Sequence, residues 1–94
     1  MKTIPELTRD FYFDIEKINR ELTAHYPHAK IVFDTVMKKA EIYKNNEIVR
    51  AFDFPKSEPE QWPAILSEFW HYMTDFILEL SLERHRAEIG TDNH

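Results

Sequence analysis

Near the start of the chain, apolar residues fall at Ile4, Leu7, Phe11, Ile15, Ile18 and Leu22. These steps of three and four draw one stripe down a helix. Thr3 and Glu6 bracket Pro5 in a capping-box pattern, in which the two side chains serve each other's free backbone N–H groups, and a proline in the first turn forfeits no helical hydrogen bond. Tyr12 and Phe13 lie off the stripe and widen it locally. Pro27 drives the residue before it out of the helical region, so the helix should stop near His25.

From Lys30 to Phe54 the sequence is rich in β-branched and aromatic residues. Asn45-Asn46 is its clearest turn, because asparagine tolerates the positive φ angles of a two-residue hairpin. That turn pairs Ala40–Lys44 with Glu47–Phe54. The regular register sets Lys44 opposite Glu47, Ile42 opposite Val49 and Ala40 opposite Ala51. One face then carries Ala40, Ile42, Val49 and Ala51, and the other Tyr43, Ile48, Phe52 and Phe54 beside Glu41 and Arg50. Ile31–Val36 reads as a further strand. Met37-Lys38-Lys39 lacks the usual turn residues, so the alternative is one bent strand with a bulge. Three strands are favoured, since a single strand over 30–44 would span roughly 50 Å.

After the sheet, Ser57-Glu58-Pro59-Glu60 repeats the capping-box pattern, but a helix starting there would carry Pro63 in its interior. A short turn at 58–61 followed by a helix from Trp62 or Pro63 fits better. That helix meets no breaker before Ile89, and Gly90 is a natural C-terminal cap. It would be about 40 Å long, against a diameter of about 30 Å for a compact domain of this size, so it must overhang or bend. Trp62, Leu66, Phe69, Met73, Phe76 and Leu80 form its main seam. Ile65 and Tyr72 widen the seam on one side, Trp70 and Ile77 on the other. Leu78, Leu82 and Ile89 lie on a further strip with His71, Asp75 and His85. A helix apolar on so many sides is normally buried on all of them.

The expected fold is therefore one α+β domain over 1–94: an N-terminal helix, a small antiparallel sheet of three strands with its hairpin at Asn45-Asn46, and a long C-terminal helix. Thr91–His94 should form a disordered tail. A chain of 94 residues has a thin core, and seven Phe, four Tyr and two Trp are an economical way to fill it.

Charge and composition narrow the function. The net charge is −5, and no Lys or Arg occurs between Lys56 and Arg84, where Glu58, Glu60, Glu68, Asp75, Glu79 and Glu83 lie. This predicts an acidic helical side and a mildly basic sheet side, a balance that weighs against nucleic acid as a partner. With no cysteine, the chain has neither disulfides nor thiolate chemistry, and its single glycine, Gly90, excludes a phosphate-cradling loop. Neither a signal peptide nor a membrane span is visible, which points to the cytoplasm.

Candidate chemistry is sparse. Glu68-x-x-His71 has the spacing of di-iron carboxylate motifs, but those sites need a second copy and further carboxylates. His71 and Asp75 could pair as base and orienter, with no nucleophile in view. His25-Tyr26-Pro27-His28 offers two metal ligands where a site needs more. Lys30, Lys38, Lys39, Lys44 and Arg50, with Tyr43 and Phe52, could form a base-stacking sheet face. The helix–three strands–helix order resembles that of double-stranded-RNA-binding domains. The resemblance is topological, since their glycine-rich strand turn and the basic cluster opening their last helix are absent, and Glu58 and Glu60 stand in place of that cluster.

These readings favour a non-enzymatic interaction module without a cofactor, a small regulator or inhibitor acting by surface presentation. Small size and acidity also fit a product of a phage, plasmid or toxin–immunity locus. Trp70, Ile77, Leu78 and Leu82 are the candidates for self-association, with a homodimer expected. Glu68, Asp75, Glu79 and Glu83 form the candidate acidic surface for a basic protein partner. The alternatives are an oligomer holding a nucleotide, metal or other small ligand among Trp62, Trp70 and Tyr72, and a nucleic-acid binder using the sheet.

Overall fold

The computed structural model describes residues 2–92. In chain order it has α1 (Ile4–His25), β1 (Ala29–Asp34), β2 (Lys39–Lys44), β3 (Glu47–Asp53), a one-turn 3₁₀ helix (Pro59–Gln61) and α2 (Trp62–Asp92). The strands form one antiparallel sheet in the order β1-β2-β3, the α+β order expected from the periodicities.

Each boundary has a local cause. Thr3 caps α1 with the complete capping box: its hydroxyl oxygen accepts from the Glu6 N–H, and the Glu6 carboxylate accepts from the Thr3 N–H at 3.2 Å. The N–H of Tyr26 bonds back to the Leu22 carbonyl and closes the helix before Pro27. At the β1–β2 turn, Asp34 Oδ1 accepts from the backbone N–H groups of Val36 and Met37, and Lys38 takes up a left-handed φ of 54°. Met37-Lys38-Lys39 lacks the usual turn residues, and the turn is built instead on the aspartate that ends β1. Asn45 and Asn46, at φ 55° and 67°, make the expected hairpin.

The β2–β3 register differs from the regular one. Lys44 does pair with Glu47, but Tyr43 pairs with Ile48 and Ile42 with Arg50, leaving Val49 as the extra residue of a bulge. Beyond it Ala40 faces Phe52, not Ala51. The shift moves Phe52 inward beside Ala40 and Ile42 and leaves Val49 44% exposed. The expected grouping of Val49 and Ala51 with Ile42, and of Phe52 and Phe54 with the opposite face, is therefore wrong. A one-residue slip exchanges the faces of a strand, and the two phenylalanines have far more apolar area to bury than the valine and alanine they displace.

Both helices cover the same side of the sheet. Ala29, Ile31, Phe33, Ala40, Ile42, Phe52 and Phe54 meet Phe11, Ile15 and Leu22 of α1 and Trp62, Phe69, Met73, Phe76 and Leu80 of α2. Phe11 is the hub, edge-on to Phe33 at 4.7 Å and to Phe69 at 5.0 Å. The Asn19 side chain accepts from the Ile31 N–H at 2.8 Å and ties α1 to the β1 edge. The β3 edge is protected by its bulge and by Glu47, Arg50 and Asp53.

No side-chain cap forms at Glu58, so the second capping-box pattern is not realised. Trp62 anchors the start of α2 instead: it is fully buried, and its indole N–H donates to the Pro55 carbonyl at 2.8 Å. At the other end α2 runs past Gly90 to Asp92, so no cap forms at the glycine. Of the expected tail at 91–94, Asn93 and His94 lie outside the described residues. The helix overhangs rather than bends back. The radius of gyration is 15.5 Å and the longest dimension 57 Å, against roughly 12 Å and 30 Å for a compact chain of this length. Among the described residues no helix is long and apolar enough to cross a membrane.

Candidate interaction surface

α2 carries two seams on opposite faces. Trp62, Phe69, Met73, Phe76 and Leu80 are buried against the sheet, as their spacing predicts, with Leu66 partly so. Two residues on from Phe76 and Leu80, nearly half a helical turn away, lie Leu78 and Leu82. Leu78 is 57% exposed, Leu82 44% and Ile89 47%. Steps of four, three and four join Leu78, Leu82, His85 and Ile89 into one stripe, the a/d spacing of a coiled coil. Toward the start of the helix the same stripe continues as Asp75, His71 and Glu68, all exposed. The outer face of α2 is therefore polar above the middle of the sheet and apolar toward the overhang.

The four residues expected to self-associate do not share one surface. Trp70 is half-buried, its ring edge-on to Phe69 at 4.9 Å and to Phe11 at 6.1 Å, so it belongs to the α1–α2 contact. Ile77 lies on the same flank and lines a shallow groove with Ile18, Leu22 and Tyr26 of the α1 end. Leu78 and Leu82 face outward. Ile89 and His85 complete their stripe, and the repeat of four and three from Leu78 is the signal that identifies them.

The acidic set also divides. Glu68, Asp75 and Glu79 are exposed, but Glu83 pairs with Lys44 at 2.5 Å across the α2–β2 contact. That hydrogen bond holds the Lys44 ammonium above its ordinary pKa. Glu83 thus fastens α2 to the sheet, and on the other flank the Arg84 guanidinium lies 4.5 Å over the Tyr26 ring at the end of α1. Neither Glu79 nor Arg86, which flank the outer stripe, makes a salt bridge among the described residues, although the charge of Glu79 is felt at the Lys44 ammonium.

The basic and aromatic residues of the sheet are not gathered into one platform. Arg50 and Phe52 face the helices, with the Arg50 guanidinium 4.6 Å over Phe52 and 5.5 Å over Tyr72. Lys44 is held by Glu83, and Lys38 donates to the Thr35 carbonyl at 2.9 Å. On the open face Lys30 lies 4.9 Å over Tyr43, which pairs on its other side with the exposed Ile48. Glu41 pairs with Val32 and Ala51, so charge interrupts the apolar residues there.

Glu68, His71 and Asp75 line an open groove with Arg50, Ser67 and Tyr72. Among the described residues no three His, Asp or Glu side chains converge to hold a metal ion. Trp62, Trp70 and Tyr72 do not share a cavity: Trp62 is sealed in the core, Trp70 packs toward α1, and Tyr72 stacks on Phe76 and packs against Phe52 toward the sheet. No protein-family model matches this chain, and neither a curated protein nor a solved structure is significantly similar to it.

Proposed function

We propose that this protein is a non-catalytic interaction module that self-associates through the outer face of α2, a homodimer being the basic unit. One observation carries the reading: Leu78, Leu82 and Ile89 are exposed at coiled-coil spacing on the face opposite the buried seam. An intrachain core needs only one seam, and a second apolar stripe at regular spacing suits a second helix. The remaining surface, acidic at Glu68 and Asp75, is what a dimer would present to a basic partner. It is the basis for a role as a small regulator or inhibitor acting by surface presentation. Support for a non-catalytic role comes from the open groove that holds His71 and Asp75, where no hydrogen bond joins either to a serine or threonine among the described residues.

Light scattering during gel filtration tests the proposal. A contact made by so short an apolar stripe should dissociate at about 1–100 µM, so the mass should rise toward that of a dimer across that range. Leu78→Glu and Leu82→Glu, both at exposed sites, should leave the circular dichroism spectrum unchanged and return the mass to the monomer. A strict monomer throughout, or variants that associate like the parent, would refute self-association through this face.

A further inference from the structure

The charges flanking the outer stripe set a direction for its pairing. We infer that two copies join by antiparallel pairing of α2 over Leu78–Ile89, with the two-fold axis between Glu83 and Arg84. This rests on the self-association proposed above and specifies its geometry. In that register Leu78 packs on the second copy's Ile89, and Leu82 on the second copy's His85. All three exposed apolar residues of the stripe are then covered in both copies. Glu79 faces the second copy's Arg86, and the symmetry repeats the pair, so each copy supplies one carboxylate and one guanidinium.

Other pairings fare worse on the same residues. A parallel dimer stacks each seam residue on itself, which sets His85 against His85. It leaves Glu79 beside Thr74, with no cation to meet. An antiparallel dimer shifted by one heptad brings Leu78 to Leu82 and Asp75 to His85. It also places Glu79 against Glu79 and leaves Ile89 on His71. Only the register centred between Glu83 and Arg84 both covers Ile89 and gives Glu79 an opposite charge. Each protomer's sheet lies on the far side of its own α2, away from the pairing face, so the two bodies do not collide.

The chain has no cysteine, so an introduced thiol is the only one present. The experiment uses Leu78→Cys, Leu82→Cys and Ile89→Cys in the full-length chain, singly and mixed in pairs, under mild oxidation. In the inferred register the Leu78 positions of the two copies are about 16 Å apart along the axis, beyond disulfide reach. Leu78→Cys mixed with Ile89→Cys should therefore give a covalent dimer, and Leu78→Cys alone should give none. Glu79→Arg should weaken dimerisation at least about fivefold, and adding Arg86→Glu should restore it. Self-linking of Leu78→Cys would establish a parallel pair, and preferential linking of Leu78→Cys to Leu82→Cys the shifted one; either overturns the inference while leaving self-association standing. A dimer by light scattering that links in none of these combinations overturns it as well. A chain that stays monomeric overturns the proposed function together with this geometry.

Discussion

The β1–β2 turn places a lysine in a conformation that suits glycine. Lys38 has φ 54°, where a Cβ crowds the backbone. The turn persists because its neighbours over-determine it. Asp34 accepts two backbone N–H groups, the Lys38 carbonyl accepts from Phe54 N–H at 2.8 Å, and the Lys38 ammonium reaches the Thr35 carbonyl. The same two hydrogen bonds hold the Asp34 carboxyl below its ordinary pKa. Lys38→Gly should relieve the crowding, offset in part by the greater freedom of glycine in the unfolded chain. A net gain of about 0.5 kcal/mol is expected in urea unfolding. Asn46→Gly should gain less, because asparagine already tolerates this region. Equal or opposite effects would show that Lys38 is not crowded. At this scale the sequence was legible where the side chain itself makes the local bond, as at Thr3 and Glu6, or where it tolerates the backbone angles, as at Asn45 and Asn46. Asp34 escaped notice because its position within the apparent strand Ile31–Val36 hid its role in the turn.

Among the elements, the helices and the hairpin could be read from period and punctuation, and the strand faces could not. A two-residue turn implies a regular ladder. Nothing in Glu47–Phe54 announces that one residue will be squeezed out of it. The bulge follows from packing across the sheet, where Phe52 meets Phe69 at 5.4 Å and Phe54 meets Trp62 at 4.7 Å. These contacts exist only if both phenylalanines turn inward, and a local reading contains neither partner. Mutational cost distinguishes the two registers. With the bulge, Phe52→Ala should destabilise by about 3–5 kcal/mol and Val49→Ala by less than about 1 kcal/mol. The regular ladder, with Val49 inside and Phe52 outside, requires the reverse order. The same logic explains the divided candidate site. Trp70 and Leu78 are equally apolar in sequence, and only the placement of α1 decides that Trp70 is covered and Leu78 is not.

At the scale of the molecule, the length of α2 sets the shape, and the shape separates folding from association. Glu83 on Lys44 and Arg84 on Tyr26 anchor the second half of α2, and Ala87 borders the groove beside Tyr26 and His28. Ile89 lies beyond them and is exposed. Ending the chain after Glu88 should therefore cost folding little, within about 1 kcal/mol in thermal or urea unfolding. It removes the residue that would cover the second copy's Leu78, so the same truncation should weaken dimerisation much more than it weakens folding. Leu80→Ala gives the opposite pattern. That side chain is buried on the inner seam, so its loss should cost about 2–5 kcal/mol of folding stability and leave the outer stripe unaltered in the molecules that remain folded. If the truncated chain instead unfolds as readily as Leu80→Ala, the end of α2 is part of the fold and its length needs no second copy. If it folds normally and dimerises like the parent, the outer stripe beyond Leu82 is not the contact. The two outcomes bear on different faces of one helix, and light scattering together with an unfolding curve on each variant tells them apart.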